Sequence, residues 1–487
     1  MEKDYKATNA SDVIDGDGQT EESVDVKQRL NAYLDGSTIH GLSHLTTSQH
    51  GNAATCRRCV WFVIVAASIA MTTVWIYNSI VGYYDYESTI SYSIERADRL
   101  AFPAVTICSK SPIKRSTMET HFSSFADTYQ SLTYAGFSVP HPAAPNFSSI
   151  ADMRFQETME RASPSLDETF LQCRIGNQLV ECRDYIKLTY MLPGLCYTFQ
   201  HYEIVQRNGT VDTTSAGTFY GVAVRFVLNA NVDEYFVPYN FGAGFAVIVH
   251  DVTELPQFDV NPIAIGPGQS VEIALQKQVY KVLPKPYYRD DCTHTPLPYK
   301  KDQSEGYPYS QYACQHSCVM DNINKYCNCT YLTRNSVNQC TTTDLNVCAA
   351  WDVFNIDAST CKYCLRKCKY NSYVTQISHS DFPNNMAVDN AVRNNFTSQT
   401  EQDIRANLLE LTLYYSSIDV TYITQNPKYQ PQDIFSTIGG LMGLFLGISL
   451  ISVIEFCEFL LAMAKTAVRA MKHRISKNAK QNSISNN

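Results

Sequence analysis

Two long stretches without a charged residue constrain this chain more than any other feature. The first runs from Cys59 to Tyr84 and the second from Ile434 to Ile454. A helix of either length can cross a hydrocarbon core of roughly 30 Å. The first stretch begins too far from the N-terminus for an ordinary signal peptide, and no small-residue cleavage pattern follows it. We therefore predict a membrane protein with two transmembrane helices.

Basic residues predict the orientation of these helices. Arg57 and Arg58 abut the first stretch, and the tail that begins at Lys465 is basic and contains no acidic residue. The positive-inside rule then places both termini in the cytoplasm of a protein that crosses the plasma membrane twice. The predicted parts are a cytoplasmic N-terminus (1–58), transmembrane helix 1 (59–84), an extracellular domain (85–433), transmembrane helix 2 (434–462) and a basic cytoplasmic tail (463–487).

Charge and motifs narrow the function. The net charge of −8 describes mostly the predicted extracellular domain and the acidic N-terminus, and it indicates no nucleic-acid partner. The sequence contains no nucleophile elbow, metal-binding motif or phosphate-binding loop. We therefore predict a protein that is not an enzyme and that needs no cofactor or metal.

The cysteines support the same topology. Of the 17 cysteines, Cys56, Cys59 and Cys457 lie in or beside the apolar stretches, and fourteen lie between them. An even number of cysteines in an oxidising compartment predicts a disulfide framework, here of up to seven bonds. Zinc is the alternative for the tight spacings at 327–329 and 361–368, but it requires reduced thiols outside the cell. Four sequons in the same region predict N-glycosylation at Asn146, Asn208, Asn328 and Asn395.

The region between the apolar stretches has mixed secondary-structure signals. "STISYSIE" follows the first stretch, and "CYTFQHYEIV", "FYGVAVRFVL", "FAVIVHDV" and "SVEIALQKQVYKVL" come later. Their β-branched and aromatic content predicts strands, as does that of the strand pair "LLELTLYYSSIDVTYI". Residues 111–170 alternate less and are predicted to be helical. The expected fold is a large mixed α+β, disulfide-rich domain between two membrane helices.

Six motifs together resemble the degenerin/epithelial sodium channel superfamily, which includes the acid-sensing ion channels. They are His40-Gly41, "FPAVTIC" (102–108), "GLCYTFQ" (194–200), "LPKPYYRDDC" (283–292), the cysteine pattern of 314–329, and "GGLMGLFLGIS" (439–449). The resemblance extends from about Ser37 to about Glu458, with the motifs in the family's order and spacing. It implies a homotrimeric or heterotrimeric cation channel with a hand-like extracellular domain. That domain has a palm sheet, a β-ball, a knuckle, a finger at about 111–190 and a thumb at about 292–368.

The resemblance also implies how the cysteines pair, which their spacing alone leaves open. In the family's order the disulfides are Cys108–Cys196, Cys173–Cys182, Cys292–Cys368, Cys314–Cys364, Cys318–Cys361, Cys327–Cys348 and Cys329–Cys340.

The second apolar stretch resembles the family's pore. Gly447-Ile448-Ser449 matches the Gly-x-Ser selectivity filter, in which backbone carbonyls and a hydroxyl replace part of a cation's water shell. Ile448 departs from the alanine or serine of many relatives. Gly443 is a predicted pore-lining residue. The alternative is that Gly439, Gly443 and Gly447 form a seam for helix packing, a role that we expect for the first two.

Two carboxylates in the predicted transmembrane helix 2, just after the charge-free stretch, point to conduction. A carboxylate inside a membrane helix costs on the order of 2–3 kcal/mol and usually faces a lumen. We predict that Glu455 and Glu458 line the pore, with Glu455 forming a ring in a trimer. The alternative is that both side chains extend to the membrane interface.

The His40-Gly41 pair matches the family's cytoplasmic gating motif, which forms a re-entrant loop. For the stimulus, the acid-sensing branch carries paired histidines where this chain has Tyr84–Thr89, without histidine. The length of the chain and the "LPKPYY" segment resemble the peptide-gated members.

We therefore predict an amiloride-sensitive, sodium-selective channel with Na⁺ as the permeant ion, opened by an extracellular neuropeptide. The alternatives are a proton-gated or constitutively open channel and, outside the class, a non-conducting two-span cell-surface receptor.

Overall fold

The computed structural model divides the chain into two compact units. A helical unit combines 1–88 with 427–487, and a β-rich unit comprises 89–426. The structure describes residues 33–34, 36–46, 52–121, 155–191, 194–235, 242–258, 260, 262–287, 291–294, 306–330, 338–340, 361–386 and 401–484.

The elements of the described residues are as follows in chain order. The helices are α1 Ser43–Thr46, α2 Asn52–Tyr84, α3 Arg115–His121, α4 Phe155–Ala162, α5 Leu166–Thr169, α6 Cys182–Tyr185, α7 Tyr202–Asn208, α8 Gln311–Cys327, α9 Glu401–Asn407, α10 Pro431–Leu446 and α11 Leu450–Ile484. The strands are β1 Ser88–Arg96, β2 Leu100–Ala101, β3 Ala104–Ser109, β4 Phe170–Ile175, β5 Gln178–Val180, β6 Ile186–Met191, β7 Gly194–Phe199, β8 Asp212–Thr213, β9 Val224–Asn229, β10 Phe245–His250, β11 Ile263–Ile265, β12 Gln269–Lys281, β13 Cys292–Thr293, β14 Arg366–Lys367, β15 Lys369–Asp381, β16 Leu408–Tyr415 and β17 Asp419–Pro427.

The larger sheet of the β-rich unit has eight strands. Its order is β1-β17-β12-β16-β9-β4-β5, and β15 pairs along the whole of β12 on the edge opposite β16 and β17. Strand β12 runs antiparallel to β15 and parallel to β16 and β17. Alternation decides which face is buried: Val224, Phe226 and Leu228 of β9 point inward while the residues between them are half-buried.

A second sheet has five strands in the order β11-β10-β3-β7-β6. The two sheets share one core, because Phe199 and Phe245 of the second sheet belong to the same buried cluster as Phe226, Ile273 and Leu411 of the first. Burial of these side chains on two facing sheets supplies the main driving force for folding this unit.

Six disulfides join the cysteine pairs that the resemblance implied. They are Cys108–Cys196, Cys173–Cys182, Cys292–Cys368, Cys314–Cys364, Cys318–Cys361 and Cys329–Cys340. Helix α8 presents Cys314 and Cys318 one turn apart, so both can bond to the segment at 361–364. These bonds leave the cysteines of 361–368 no free thiolate for zinc. The predicted partner of Cys327, residue 348, lies outside the described residues.

One predicted strand is partly helical. In "CYTFQHYEIV" the strand β7 ends at Phe199, and Tyr202–Asn208 forms helix α7. The His201 side chain accepts a hydrogen bond from the backbone N–H of Glu203, and Gly209 closes the helix with φ of +82°. Local capping at both ends therefore outweighs the strand propensity of Tyr202, Ile204 and Val205. The helical prediction for 111–170 agrees with α3, α4 and α5, and the rest of that stretch is outside the described residues.

The helical unit contains the two apolar stretches. The segment Thr55–Tyr84 of α2 is long and apolar enough to cross a membrane. Helix α10 and the segment 450–468 of α11 pass the same test only when they are taken together, and they are bent by 78° relative to each other. Helices α2 and α10 pack side by side, with the rings of Trp75 and Phe445 in an edge-on contact at 6.1 Å.

Candidate functional site

The candidate site is the break between α10 and α11, at Gly447-Ile448-Ser449. Gly447 ends α10 in the left-handed conformation, with φ of +64° and ψ of +20°. Its N–H donates to the carbonyl of Gly443 at 3.0 Å, and the N–H of Ile448 donates to the carbonyl of Met442 at 3.2 Å. This arrangement is a helix-ending motif that strongly favours glycine.

Ser449 starts the next helix. Its hydroxyl accepts from the N–H of Ser452 at 3.3 Å, and its own N–H donates to the Ser452 hydroxyl at 3.1 Å. This reciprocal pair caps α11 and satisfies donors that would otherwise lack a partner. The sequence therefore specifies the break, because a C-terminal glycine motif ends α10 and an N-terminal serine cap begins α11.

The carbonyl oxygens of Gly447 and Ile448 are the free acceptors of this site. None of the hydrogen bonds among the described residues ends on either oxygen. In a membrane, backbone groups that are not bonded within the chain are tolerated where they are buried or face a water-filled cavity. Carbonyl oxygens in that position can replace water molecules around a cation.

An N-terminal segment, residues 33–34 and 36–42, contacts the break. The backbone N–H of His40 donates to the carbonyl of Leu446 at 3.0 Å. The hydroxyl of Thr38 lies 2.6 Å from the Ser452 hydroxyl and 3.1 Å from Oε2 of Glu455. This segment therefore satisfies the last carbonyl of α10 and also bonds to the first turns of α11.

A ring stack extends the same contact along α11. Tyr33 stacks on Phe459 with 4.4 Å between the ring centroids. A cavity of about 440 Å³ lies beside the stack and is lined by Tyr33, Gly36, Ser37, Glu455, Glu458, Phe459 and Ala462.

Steric limits explain the two glycines of the site. A Cβ on Gly447 would lie 2.4–2.6 Å from three atoms of the His40 ring. Gly41 has φ of +88°, and a Cβ there would lie 2.8 Å from Cγ2 of Val65 on α2. At both positions the backbone has a positive φ, which disfavours any residue with a side chain. At both positions a neighbouring side chain also lies too close to leave room for a Cβ. The structure thus brings together His40, Gly41 and the break, which the sequence placed about 400 residues apart.

The predicted pore-lining residues have different surroundings. Glu455 is half-buried against Thr38, while Gly443 and Glu458 are exposed on the single chain. A Cβ on Gly439 would meet no atom within 4 Å, and one on Gly443 would meet only the Ile448 carbonyl at 3.9 Å. Among the described residues, neither glycine lies in a contact that would exclude a side chain, so the expected packing role of these two glycines stays a prediction.

Sequence reasoning missed two residues of the site. Thr38 and Ser452 bond to each other and to Glu455 and Ser449, and Ser452 is buried. The Ser-x-x-Ser spacing from Ser449 is typical of a helix cap and could have identified Ser452. Nothing in the local sequence of Thr38 indicates its partners, because the contact depends on the fold.

The predicted glycosylation sites fall in two groups. Asn208, at the end of α7, and Asn328, directly after α8, are exposed. Asn146 and Asn395 lie outside the described residues.

A family model supports the resemblance. Residues 33–459 match the model described as "Amiloride-sensitive sodium channel". This range contains both apolar stretches and the whole β-rich unit.

Individual relatives match over most of the chain. The sequence is 24% identical to acid-sensing ion channel 1C of Danio rerio, over 93% of this chain and 87% of that protein. It is 25% identical to acid-sensing ion channel 1 of Gallus gallus, over 94% of this chain and 88% of that protein. It is 22% identical to the bile acid-sensitive ion channel of Rattus norvegicus, over 87% of this chain and 86% of that protein. The cryo-EM structure of a proton-activated chloride channel aligns with 7% identity, covering 82% of this chain and 97% of that one, but its TM-score of 0.31 carries no argument about fold.

Proposed function

Because the chain belongs to the amiloride-sensitive sodium channel family, we propose that it forms a sodium-selective channel with Gly447-Ile448-Ser449 as its filter. The break between α10 and α11 carries this proposal. It presents two carbonyl oxygens without hydrogen-bond donors among the described residues, next to the Ser449 hydroxyl. Three chains around one axis would surround a partly dehydrated Na⁺ with these oxygens.

The carboxylates of α11 fit the same axis. In a trimer, three Glu455 side chains would form a negative ring that concentrates cations at one end of the filter, with Glu458 one turn further along. Thr38 donates to Glu455 at 3.1 Å, which fixes the orientation of that carboxylate. The proposed pore thus depends on the N-terminal segment as well as on the second apolar stretch.

The contact of His40 with Leu446 supports a gating role for the N-terminal segment. The His40 backbone and ring touch the last carbonyl of α10 and the Gly447 backbone respectively. A movement of this segment would remove the partner of the Leu446 carbonyl and allow the break to change shape. We therefore keep His40 and Gly41 as the gating pair.

The proposed topology has two spans at the plasma membrane, both termini in the cytoplasm and the β-rich unit outside. The disulfides support an extracellular position, because such bonds persist in oxidising compartments. In this topology the finger is at about 111–190, the thumb at about 292–368, and the four sequons are available for glycosylation.

For the stimulus we propose an extracellular neuropeptide. The absence of histidine from Tyr84–Thr89 supports this choice over protons. Protons are the second candidate, because two of the relatives described above are named acid-sensing channels.

Recording from oocytes that express the full chain tests the proposal. We expect an inward current on application of amidated RFamide-type peptides, lost when Na⁺ is replaced by N-methyl-D-glucamine and blocked by amiloride. A response to acid steps alone would replace the peptide by protons. Surface-expressed protein without current under peptide, acid or resting conditions would favour a non-conducting receptor.

A further inference from the structure

Two free cysteines lie one helical turn apart near the start of α2. Cys56 and Cys59 take part in no disulfide, and both are exposed. Arg57 and Arg58 lie between them and mark the cytoplasmic end of the first span in the proposed topology. The thiols are therefore on the reducing side of the membrane, where structural disulfides are rare. The proposed conduction and gating involve neither thiol.

One face of α2 is already occupied within the helical unit. The ring centroids of Trp61 and His44 lie 4.3 Å apart, and Val65 lies beside Gly41. Residues three and four positions apart share one face of a helix. The buried and half-buried residues in the middle of α2 follow that spacing: Arg58, Trp61, Val65, Ser68, Thr72, Ile76 and Ser79. We call this set the packed face of α2.

The two cysteines lie on the opposite face. At about 100° per residue, Cys56 and Cys59 are roughly 140–160° around the helix from the middle of the packed face. Val63, one turn further along, shares their side of the helix and is 64% exposed. Ala67 and Ala70 continue this side and are exposed too. The thiols therefore stand at one end of a face of α2 that no other described element of the chain covers.

Depth along the helix matters as much as direction. The charge-free stretch begins at Cys59, and Cys56 precedes it by one turn. Both thiols therefore lie at the boundary between the cytoplasm and the hydrocarbon. Arg57 is exposed, and anionic lipid headgroups favour its charge at this boundary. An acyl chain attached here enters the hydrocarbon directly and extends along Val63. Cysteines in this position are typical sites of reversible S-acylation.

Other cysteine chemistry fits this pair less well. A structural zinc ion needs four ligands, and the described residues contain no group of three His, Cys, Asp or Glu side chains that could hold a metal ion. Cytoplasmic reductants oppose a disulfide between the two thiols. The cysteines also fit as small apolar residues without any modification, and labelling separates that role from acylation.

We propose that Cys56 and Cys59 carry thioester-linked long-chain fatty acids. The Sγ of each cysteine attacks the carbonyl carbon of a long-chain acyl-CoA, in a reaction catalysed by a membrane acyltransferase of the cell. The bond from Sγ to that carbon forms, the bond from the carbon to the CoA sulfur breaks, and CoA leaves as a thiol with the proton of the cysteine. No oxidant or reductant is consumed. The modification rests on the cytoplasmic N-terminus of the proposed function and goes beyond conduction.

Acyl exchange on the full chain, expressed in cultured animal cells, tests the modification. N-ethylmaleimide first blocks free thiols, and neutral hydroxylamine then cleaves thioesters but not disulfides. A polyethylene-glycol maleimide finally adds one mass step for each thiol that hydroxylamine released. We expect two mass steps that depend on hydroxylamine, together with incorporation of alkyne-tagged palmitate.

Variants assign the mass steps to residues. Cys56→Ala and Cys59→Ala should each remove one step, and the double variant should remove both steps and the palmitate label. Alanine is well suited to exposed helix positions, so surface biotinylation should stay at the level of the parent. Cys457→Ala removes the third free cysteine and is the matched control, which should keep both steps.

Two results would overturn the acylation of this pair. The first is a surface-expressed parent without any hydroxylamine-dependent step, because the cysteines then serve only as small apolar residues. The second is a set of steps that persists in the double variant and is lost in Cys457→Ala, because the acyl groups then lie on α11.

The label needs no current, so its failure is distinct from failure of the channel proposal. A Na⁺ current without acyl label would reject acylation alone, and acyl label without current would reject conduction alone. An epitope at the N-terminus that antibodies reach only after permeabilisation checks the orientation separately.

Discussion

The two apolar stretches of this chain are similar in composition but differ in backbone conformation. The first forms one helix, Asn52–Tyr84, while the second is interrupted at 447–449 and bent by 78°. Both lack charged residues in their apolar centres, so hydropathy alone does not distinguish them. The difference lies in capping signals and in the N-terminal segment, which contacts the break through His40 and Thr38.

The glycines of the two apolar stretches differ in whether they leave room for a side chain. Gly82 of α2 sits in a regular helix, where an added Cβ would touch the Tyr429 ring at an ordinary 3.5 Å. Gly447 has a positive φ, and its added Cβ would overlap the His40 ring. Glycine is therefore replaceable at position 82 and required at position 447.

The largest effect is expected for Gly447→Ala. The substitution adds about 1 kcal/mol of backbone strain at positive φ and pushes the His40 ring away from the break. We expect macroscopic current to fall by at least about tenfold with normal surface labelling, measured by two-electrode voltage clamp.

Gly439→Ala is the matched control for that experiment. An added Cβ at Gly439 meets no atom within 4 Å, so the current should stay close to that of the parent. Full current in Gly447→Ala would contradict the assignment of the break as the filter.

The next effect is expected for Gly41→Ser, which acts on the N-terminal segment. A Cβ there would lie 2.8 Å from Val65 Cγ2 at φ of +88°. The segment should shift, and the open probability should fall by roughly threefold or more while unitary conductance is unchanged. Single-channel recording separates the two quantities.

Gly36→Ser serves as its control, because the space around Gly36 is open. Equal open probabilities in the parent and Gly41→Ser would refute a gating role for this glycine.

A smaller effect is expected for Glu455→Gln. The amide oxygen can still accept from Thr38, so the substitution removes charge and keeps the hydrogen bond. Unitary conductance should fall by about half as cation attraction weakens, and Glu458→Gln should have less effect because Glu458 is more exposed. Unchanged conductance and permeability ratios in Glu455→Gln would reject the charged ring.

The smallest effect is expected for Gly82→Ala in the first helix. Alanine is favoured over glycine in a helix interior by about 1 kcal/mol, and the contact with Tyr429 is an ordinary one. We expect unchanged current and a slightly higher melting temperature. A loss of current as large as that in Gly447→Ala would show that the two helices do not differ in the way described here.

Local patterns predicted much of the β-rich unit. Strands β10 and β16 lie within the stretches whose β-branched and aromatic content predicted them, and β1, β9, β12 and β17 overlap such stretches and extend past one end. Helix α7 was mistaken for a strand, because Tyr202, Ile204 and Val205 favour strands while His201 and Gly209 cap a helix. Local sequence patterns could not predict the pairing order of the sheet, in which β12 lies between β16 and β15. That order depends on contacts between residues distant in sequence.

The sequence by itself determined two apolar stretches, the disulfide-rich domain between them, and the motif Gly447-Ile448-Ser449. These features follow from composition, spacing and resemblance, all of which are readable along the chain. Only the tertiary structure brought His40 to Leu446, and Thr38 to Ser452 and Glu455. Such contacts join residues far apart in sequence, and their energy depends on burial and geometry that no local pattern contains.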